Sequence, residues 1–395
     1  MEKGNENKDR NPVLRFSKFQ QYKSWDKTTI DSIIECENSQ LMLSKLNLSD
    51  KGYPIYGADG IIGYIPHYNK AHIYVSIVKD GSGVGRLNLC QAYSSLLGTL
   101  NYLSSKDETA YQTQWIYYLL QTINFSIYIK GSGIPHIYFN DYKNHIVYVP
   151  NPEEQQKIAE CLSSLDELIE ATVQKVDALN EHKKGLMQRL FPAEGKDVPD
   201  LRFPEFQWQA TEWQSTLLGA VVDYENGRAH ENEIDDEGDF IVVNSKFIST
   251  DGDVVKRTNT PYCLADKEDI LMVLSDVPNG RAIAKCFFVD QSGVYTVNQR
   301  ICRLRSKNVN SKLLFYLINR NPYFLSFDDG VKQTNLKKSE VLECPLMIPS
   351  SPIEQQKIAD LLSSIDDLII ATEQRIKSLE KHKKGLMQQL FPNIL

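Results

Sequence analysis

A stretch of 42 residues occurs twice in this chain, and it constrains the fold more than any other feature. Residues 151–192 read NPEEQQKIAECLSSLDELIEATVQKVDALNEHKKGLMQRLFP, and residues 351–392 read SPIEQQKIADLLSSIDDLIIATEQRIKSLEKHKKGLMQQLFP. The copies align without gaps at an offset of 200 residues, with 27 of 42 positions identical. Self-similarity on this scale means that one structural module is built twice in tandem.

Each copy reads as a single long helix. Asn151 or Ser351 supplies an N-cap oxygen, Pro152 or Pro352 suits the first helical position, and Glu154 or Glu354 stands where a capping box places its acid. Past the cap, a 4–3 spacing selects Ile158, Leu162, Leu165, Ile169, Thr172, Val176, Leu179, Lys183, Leu186 and Leu190, of which eight are apolar. The second copy repeats the seam as Ile358, Leu362, Ile365, Ile369, Thr372, Ile376, Leu379, Lys383, Leu386 and Leu390. A sustained period of seven is a coiled-coil seam rather than the wider stripe of a globular surface helix. Gly185 and Gly385 weaken the last turns, and Pro192 and Pro392 close them. Two unrelated surface helices would not need matched seams, so the two helices are expected to pack on each other.

A chain of 395 residues has room for two or three domains with buried cores. Hydrophobic content of 42% and charged content of 24% are ordinary for a globular protein. No apolar run reaches membrane-spanning length, and the start MEKGNENKDRNP lacks the apolar core of a signal peptide. The seven cysteines (36, 90, 161, 263, 286, 302 and 344) are scattered and form no C-x-x-C pair. Neither a zinc site nor a disulfide framework is indicated, and reduced thiols in a cytoplasm fit best.

The formal charge of −7 is awkward for a nucleic-acid binder, which ordinarily shows a basic footprint. It is unevenly spread. Residues 1–150 carry 15 basic and 13 acidic groups, for a net of +2. Residues 151–192 come to −3, residues 193–349 to −6 (18 against 24), and residues 350–395 to zero. Much of the acid in the third segment lies between Glu231 and Asp239. Net charge governs solubility and non-specific association, while a groove can still be locally basic.

Residues 1–12 read as disordered. Leu14-Arg15-Phe16, followed by Phe19 and Trp25, recurs as Leu201-Arg202-Phe203, Phe206 and Trp213. The repeated unit is therefore a lead-in motif, a variable body and a coiled-coil helix, with residues 193–200 as the linker between halves. The first body, 13–150, has β-rich stretches at 53–68 and 72–89 broken by Gly and Asp turn signals, a short amphipathic helix at 113–123 and a glycine loop at 130–137. It holds 15 of the 20 tyrosines. The second body, 201–349, follows the same order: strand-like 240–249 and 269–289, a helix at 310–320 and a late glycine loop at 328–336. Asp80-Gly81-Ser82-Gly83-Val84-Gly85-Arg86 matches Asp276-Val277-Pro278-Asn279-Gly280-Arg281. The architecture repeats while the side chains differ, as two readers of different targets on one scaffold would require.

The chemical motifs point away from catalysis. Gly81–Gly85 is G-x-G-x-G, not G-x-G-x-x-G, with no downstream acid to complete a dinucleotide site, so it reads as a tight turn or exposed loop. No phosphate-binding G-x-x-x-x-G-K-[ST] is present. Asn321-Pro322-Tyr323-Phe324 comes near the N-P-P-[YF] motif of amino-group methyltransferases but lacks the second proline and any S-adenosylmethionine loop. It reads as a helix stop. The seven histidines are isolated, without H-x-x-x-H spacing, so no metal is expected. His182 and His382, within the repeated HKKG, mark a solvated helix end.

Some features do suit nucleic acid. Arg300, Arg303, Arg305 and Lys307 surround one strand-like stretch, where alternation puts Arg303 and Arg305 on a common face. Tyr64, His67 and Tyr68 flank the first body's glycine turn, alongside Lys79 and Arg86. The candidates for contact are Tyr64, His67, Lys79, Ser82, Arg86, Lys130, Ser132 and His136 in the first body. In the second they are Lys246, Arg257, Asn279, Arg281, Arg300, Arg303, Arg305, Lys332 and Gln333. Taken alone, the same residues also read as ordinary surface charges and half-buried tyrosines. A helix of ~40 residues is about 60 Å long, somewhat under two turns of B-DNA at roughly 34 Å each.

The layout resembles the specificity (S) subunits of type I restriction–modification systems. The residues that carry the resemblance are Glu154-Gln155-Gln156-Lys157-Ile158-Ala159 after a proline, the same run at 354–359, LRFPEF with Trp213, YPIYG…GYI in the first body, and the helix ends QRLFP and QQLFP. The resemblance implies an α+β chain of two mixed α/β target recognition domains, 13–150 and 201–349. Two long helices, 151–192 and 350–395, would join them as an antiparallel intramolecular coiled coil with pseudo-two-fold symmetry. It implies a non-catalytic subunit reading a bipartite, asymmetric double-stranded DNA target and docking two methyltransferase (M) subunits and the restriction (R) subunits. S-adenosylmethionine, ATP and magnesium would belong to those partners, and no membrane is involved. The acidic 231–239 run is not what DNA contact alone requires and could face the partners. A coiled-coil scaffold or adaptor without DNA readout is the alternative. A stand-alone methyltransferase or nuclease is disfavoured by the missing motifs.

Overall fold

The computed structural model describes residues 11–131, 133–193, 195–207, 212–277 and 280–392. The expected disordered stretch 1–12 falls almost wholly outside them, as do the candidates Ser132 and Asn279. Two compact units divide the chain: Met1–Lys175 together with Thr372–Leu395, and Val176–Ala371. Among the described residues four helices exceed five residues: α1 (Thr113–Gln121), α2 (Pro152–Leu190), α3 (Ser311–Ile318) and α4 (Pro352–Leu390).

Both repeat copies form uninterrupted helices of 39 residues. Their N-caps follow the sequence, since Glu154 N–H donates to Asn151 Oδ1 at 3.0 Å and Glu354 N–H to Ser351 Oγ at 3.4 Å. The capping-box role expected for the glutamates is replaced by a longer-range one. Both oxygens of Glu154 accept from the Arg15 guanidinium at 2.7 Å, and Glu354 holds Arg202 in the same way at 2.7 Å. The next residue fastens each helix to its unit. Gln155 Oε1 accepts from Gln112 N–H, just before α1, and Gln355 Oε1 from Asn310 N–H, just before α3, each at 2.9 Å. Their side-chain amides donate to the carbonyls of Pro150 and Pro349.

The heptad positions are the covered ones. Ile158, Leu162, Val176, Ile358, Leu362, Ile365 and Ile369 are buried, while Leu165, Ile169, Leu179, Ile376 and Leu379 are half-buried. In the first unit the start of α2 (Ile158, Ala159, Leu162) shares a core with the end of α4 (Leu386, Met387, Leu390). In the second unit the end of α2 (Leu186, Met187, Leu190) shares a core with the start of α4 (Ile358, Ala359, Leu362). Start meets end in both, so the helices pack antiparallel. The lysines of the two seams supply the polar pairing: Lys383 Nζ lies 2.5 Å from Asp166 Oδ1, and Lys183 Nζ lies 2.5 Å from Asp366 Oδ1. Each aspartate also accepts from a tyrosine of its unit, Tyr118 at 2.8 Å and Tyr316 at 2.7 Å. The lysines sit 5.4 and 5.2 Å from the centroids of those rings.

Around these helices the units follow one plan. The first has a four-stranded antiparallel sheet in the order Ile34–Asn38, Leu100–Ser105, Tyr74–Val78, Leu87–Cys90. The second has the order Val222–Asn226, Ile301–Ser306, Ile270–Val273, Cys286–Phe288, also antiparallel. Each adds a three-stranded sheet and a two-stranded ladder that leads into the long helix, Asp26–Thr29 with Ile146–Val149 and Trp213–Leu217 with Pro345–Pro349. The tryptophans of the lead-in motifs lie in the cores, Trp25 edge-on to Phe391 at 6.2 Å and Trp213 edge-on to Phe191 at 6.4 Å. Those phenylalanines belong to the repeated L-F-P helix ends.

Two local readings change. The strand expected through 240–249 stops at Val243, because Asn244 accepts from Phe247 N–H at 2.9 Å and caps a helical turn, Ser245–Ser249. Asn321 is less a stop than a new start: its Oδ1 accepts from Tyr323 N–H at 2.9 Å and caps Pro322–Leu325.

Candidate functional site

In the first unit the strand Tyr74–Val78 runs into the loop 80–86, which Gly81 and Gly85 turn at φ +97° and +85°. Gly81 N–H donates to Pro135 O and Ile137 N–H to Lys79 O, both at 2.9 Å, while Asp80 forms a β-bridge with His136. The two glycine loops of this unit are therefore one surface. Gly131 has φ +91°, and a Cβ there would lie 2.6 Å from Ile134 O, so this second loop needs glycine. The turn between Tyr53–Gly57 and Gly60–Ile65 adjoins them, since Arg86 pairs with Asp59.

The second unit repeats the arrangement. Ser275–Asp276 pairs antiparallel with Thr334–Asn335, and Gln333 Nε2 donates to Ser275 Oγ at 2.7 Å. Asp276 organises its own loop, accepting from Val277 N–H at 2.9 Å through Oδ1 and from Ala282 N–H at 2.6 Å and Ile283 N–H at 3.1 Å through Oδ2. A Cβ on Gly280 would lie 2.1 Å from that carboxylate, which excludes any side chain without rearrangement. Asp329 shapes the facing loop by accepting from Val331 and Lys332 N–H, and these bonds hold its pKa below the usual carboxylate value.

The candidate residues divide by how their charge is used. Arg305 grips the buried Asp269 with two bonds of 2.7 and 2.8 Å and reaches Asp266 at 2.5 Å. Arg303 pairs with Glu225 and donates to Leu264 O at 2.6 Å. These two do share a face of strand Ile301–Ser306, but acids already occupy it, and the Asp269 bonds raise the Arg305 pKa. Lys130 pairs with Asp141, Lys79 reaches Asn38 Oδ1 at 3.3 Å, and Arg257 donates to Gly238 O at 3.2 Å. His136 lies 3.3 Å from Ile134 O and packs on Tyr138. Ser82 is exposed at its loop tip. Tyr64 and His67 are carried away from the turn, Tyr64 pairing across to Pro54, while Tyr68 packs edge-on to Tyr53 and Tyr93.

Lys246, Arg281, Arg300 and Lys332 are exposed, with side chains that have no partner among the described residues. Three of them border one ladder: Arg281 on the loop that Asp276 closes, Lys332 beside Gln333, and Arg300, whose carbonyl accepts from Leu274 N–H. Sequence reasoning missed the structural roles of Asp276, Arg15, Glu154 and the Asp166–Lys383 exchange, although the duplication of the last three was visible. No group of three or more His, Cys, Asp or Glu side chains among the described residues is placed to hold a metal ion. None of the described helices is long and apolar enough to cross a membrane.

The family model for the type I restriction modification DNA specificity domain matches residues 22–181 and again 210–381, once in each half. The chain belongs to this family. Specificity-family relatives include the type I restriction enzyme MjaVIII specificity subunit of Methanocaldococcus jannaschii, 26% identical over 357 residues, covering 85% of this chain and 83% of the relative. The putative MjaX specificity subunit of the same organism is 23% identical over 421 residues, covering 96% of this chain and 97% of the relative. The crystal structure of the type I restriction–modification S subunit from M. genitalium shares the fold, with a TM-score of 0.68 at 19% identity over 98% of this chain and 100% of that one.

Proposed function

We propose that this chain is the DNA-reading specificity subunit of a type I restriction–modification complex. Each unit reads one half of a split, asymmetric duplex target. The observation that carries the reading is the duplication itself: a specificity-domain match in each half, with repeated helices and divergent loops. Residues 13–150 and 201–349 act as the two target recognition domains, 151–192 and 350–395 as the helical repeats, and 193–200 as the linker. In each domain the surface that meets DNA is the pair of joined loops, 80–86 with 130–136 and 276–281 with 328–336. Arg86, Arg281, Arg300 and Lys332 are the leading contacts there, and salt dependence of binding follows from the phosphates they neutralise.

The chain does no chemistry. S-adenosylmethionine, ATP and magnesium are handled by methyltransferase and restriction subunits that dock on it in the cytoplasm. The purified full chain is expected to transfer no methyl group from S-adenosylmethionine by itself. Added to the methyltransferase subunits encoded with it, it should confer sequence-dependent methylation of adenine. Methyl transfer by the chain alone would sink the proposal, and so would methyltransferase activity of unchanged sequence preference after the chain is added.

A further inference from the structure

Arg320 ends α3 in a conformation that side chains ordinarily avoid. Asn319 is the C-cap, and Arg320 follows at φ +57°, the left-handed position that glycine commonly fills because a Cβ crowds the backbone there. The fold does not demand it, since in the first unit Ile123, which follows the C-cap Thr122 of α1, is not left-handed. A strained residue of this kind persists where its surroundings over-determine it. The Arg320 guanidinium Nη1 donates to Arg281 O at 3.0 Å and to Ile283 O at 3.2 Å. The adjoining backbone adds two bonds, Arg320 N–H to Ala284 O at 2.9 Å and Cys286 N–H to Asn319 Oδ1 at 3.0 Å. From the other side, Asp276 takes the N–H groups of Ala282 and Ile283. Ala284 is itself left-handed, at φ +54°. A cation thus holds the carbonyls of this segment while an anion holds its N–H groups. The side chain it projects, Arg281, is exposed and has no partner among the described residues.

We infer that Arg320 is a positioning residue for DNA readout by the second unit, fixing Arg281 so that its guanidinium reads the major-groove edge of one guanine in that half-site. The inference rests on the specificity-subunit reading above and on Arg281 as a contact. Paired bonds to guanine O6 and N7 demand a fork held in one orientation, whereas attraction to phosphate tolerates many. An arginine on a loose loop would supply affinity without discrimination. Arg320 acts through the loop rather than as a reader: its Nη1 is committed to the two carbonyls.

The test uses the full chain co-expressed with its methyltransferase subunits, with methylated adenines mapped across the host genome. The variants are Arg281→Gln, Arg320→Gly and the two combined. Glycine suits φ +57°, and that relief offsets the two lost guanidinium bonds, so Arg320→Gly is expected to keep the melting temperature close to that of the parent. Both single variants should relax the same single position of one half-site. Methylation at sites carrying another base there should rise about tenfold or more relative to cognate sites. The other half-site should stay intact, and the double variant should go no further. A motif for Arg320→Gly identical to the parent's would overturn the inference, as would uniform weakening over both half-sites or a lowered melting temperature. If Arg281→Gln leaves the motif unchanged, the contact reading beneath it fails. If the parent chain directs no methylation at all, the specificity-subunit reading fails.

Discussion

Arg86 and Arg281 occupy matching places in the glycine loops but differ in freedom. Arg86 is paired with the exposed Asp59, and an exposed pair of this kind contributes about 0–1 kcal/mol, little enough for DNA phosphate to displace. Arg281 has no side-chain partner to release among the described residues. Alanine at either is expected to weaken one half-site only, with the Arg281 change costing about 1–3 kcal/mol in binding of target over mismatched DNA. Equal loss at both half-sites would contradict modular readout. The opposite situation holds at Glu154 and Glu354, whose carboxylates are 1% exposed and locked to arginines exposed by 9% and 12%. Glu354→Gln takes the carboxylate away from the Arg202 guanidinium in a covered site, a loss of about 3 kcal/mol. Calorimetry should record this as a fall of roughly 6–12 °C in Tm. The letters gave no hint of this partner, because Arg202 and Glu354 are 152 residues apart and nothing local joins them. Arg303 and Arg305 show the same limit: strand alternation gives their shared face, but not that Asp269 and Glu225 pair with them there.

At the scale of elements, two near-identical helices can pair antiparallel because each carries both halves of one clamp. Asp166 answers Lys383 and Lys183 answers Asp366. A charged group at a seam position sets register more than it adds stability. Lys183→Asp faces Asp366 with a like charge and should lower the unfolding temperature of the second unit. Combining it with Asp366→Lys should restore most of the loss, and a double variant no better than the single would show that the clamp does not set the pairing. Burial separates the apolar seam positions too. Ile365 is buried and Leu165 half-buried, so Ile365→Asp should cost about 3 kcal/mol or more, and Leu165→Asp less, with gel filtration reporting any splaying of the helices. These helices were legible because a period of seven over ten positions is a local signal. Helix α1 was legible from its amphipathic spacing, and α3 from its matching place in the second body. The helical turns at Ser245–Ser249 and Pro322–Leu325 were not, since each depends on a single asparagine side chain closing on the backbone.

For the whole molecule, the proposed division of labour is that repeated helices fix spacing and docking while divergent loops carry the target. Inserting one heptad after Ala171 and another after Ala371 lengthens each helix by about 10 Å. That is roughly 3 base pairs of B-DNA, so the unread spacer should lengthen while both half-sites keep their sequence. An unchanged spacer would mean that helix length does not set it. The acidic 231–239 run fits this division poorly as a DNA surface; Glu233 and Asp235 bond to Tyr262 and Asn259 of their own unit. The most direct measurement is a genome-wide map of methylated adenines in a host carrying the unaltered chain and its methyltransferase subunits, compared with a host lacking the chain. One chain-dependent motif is expected, made of two different half-sites around a spacer of fixed length. A continuous motif, or methylation that does not depend on the chain, would contradict a two-headed reader.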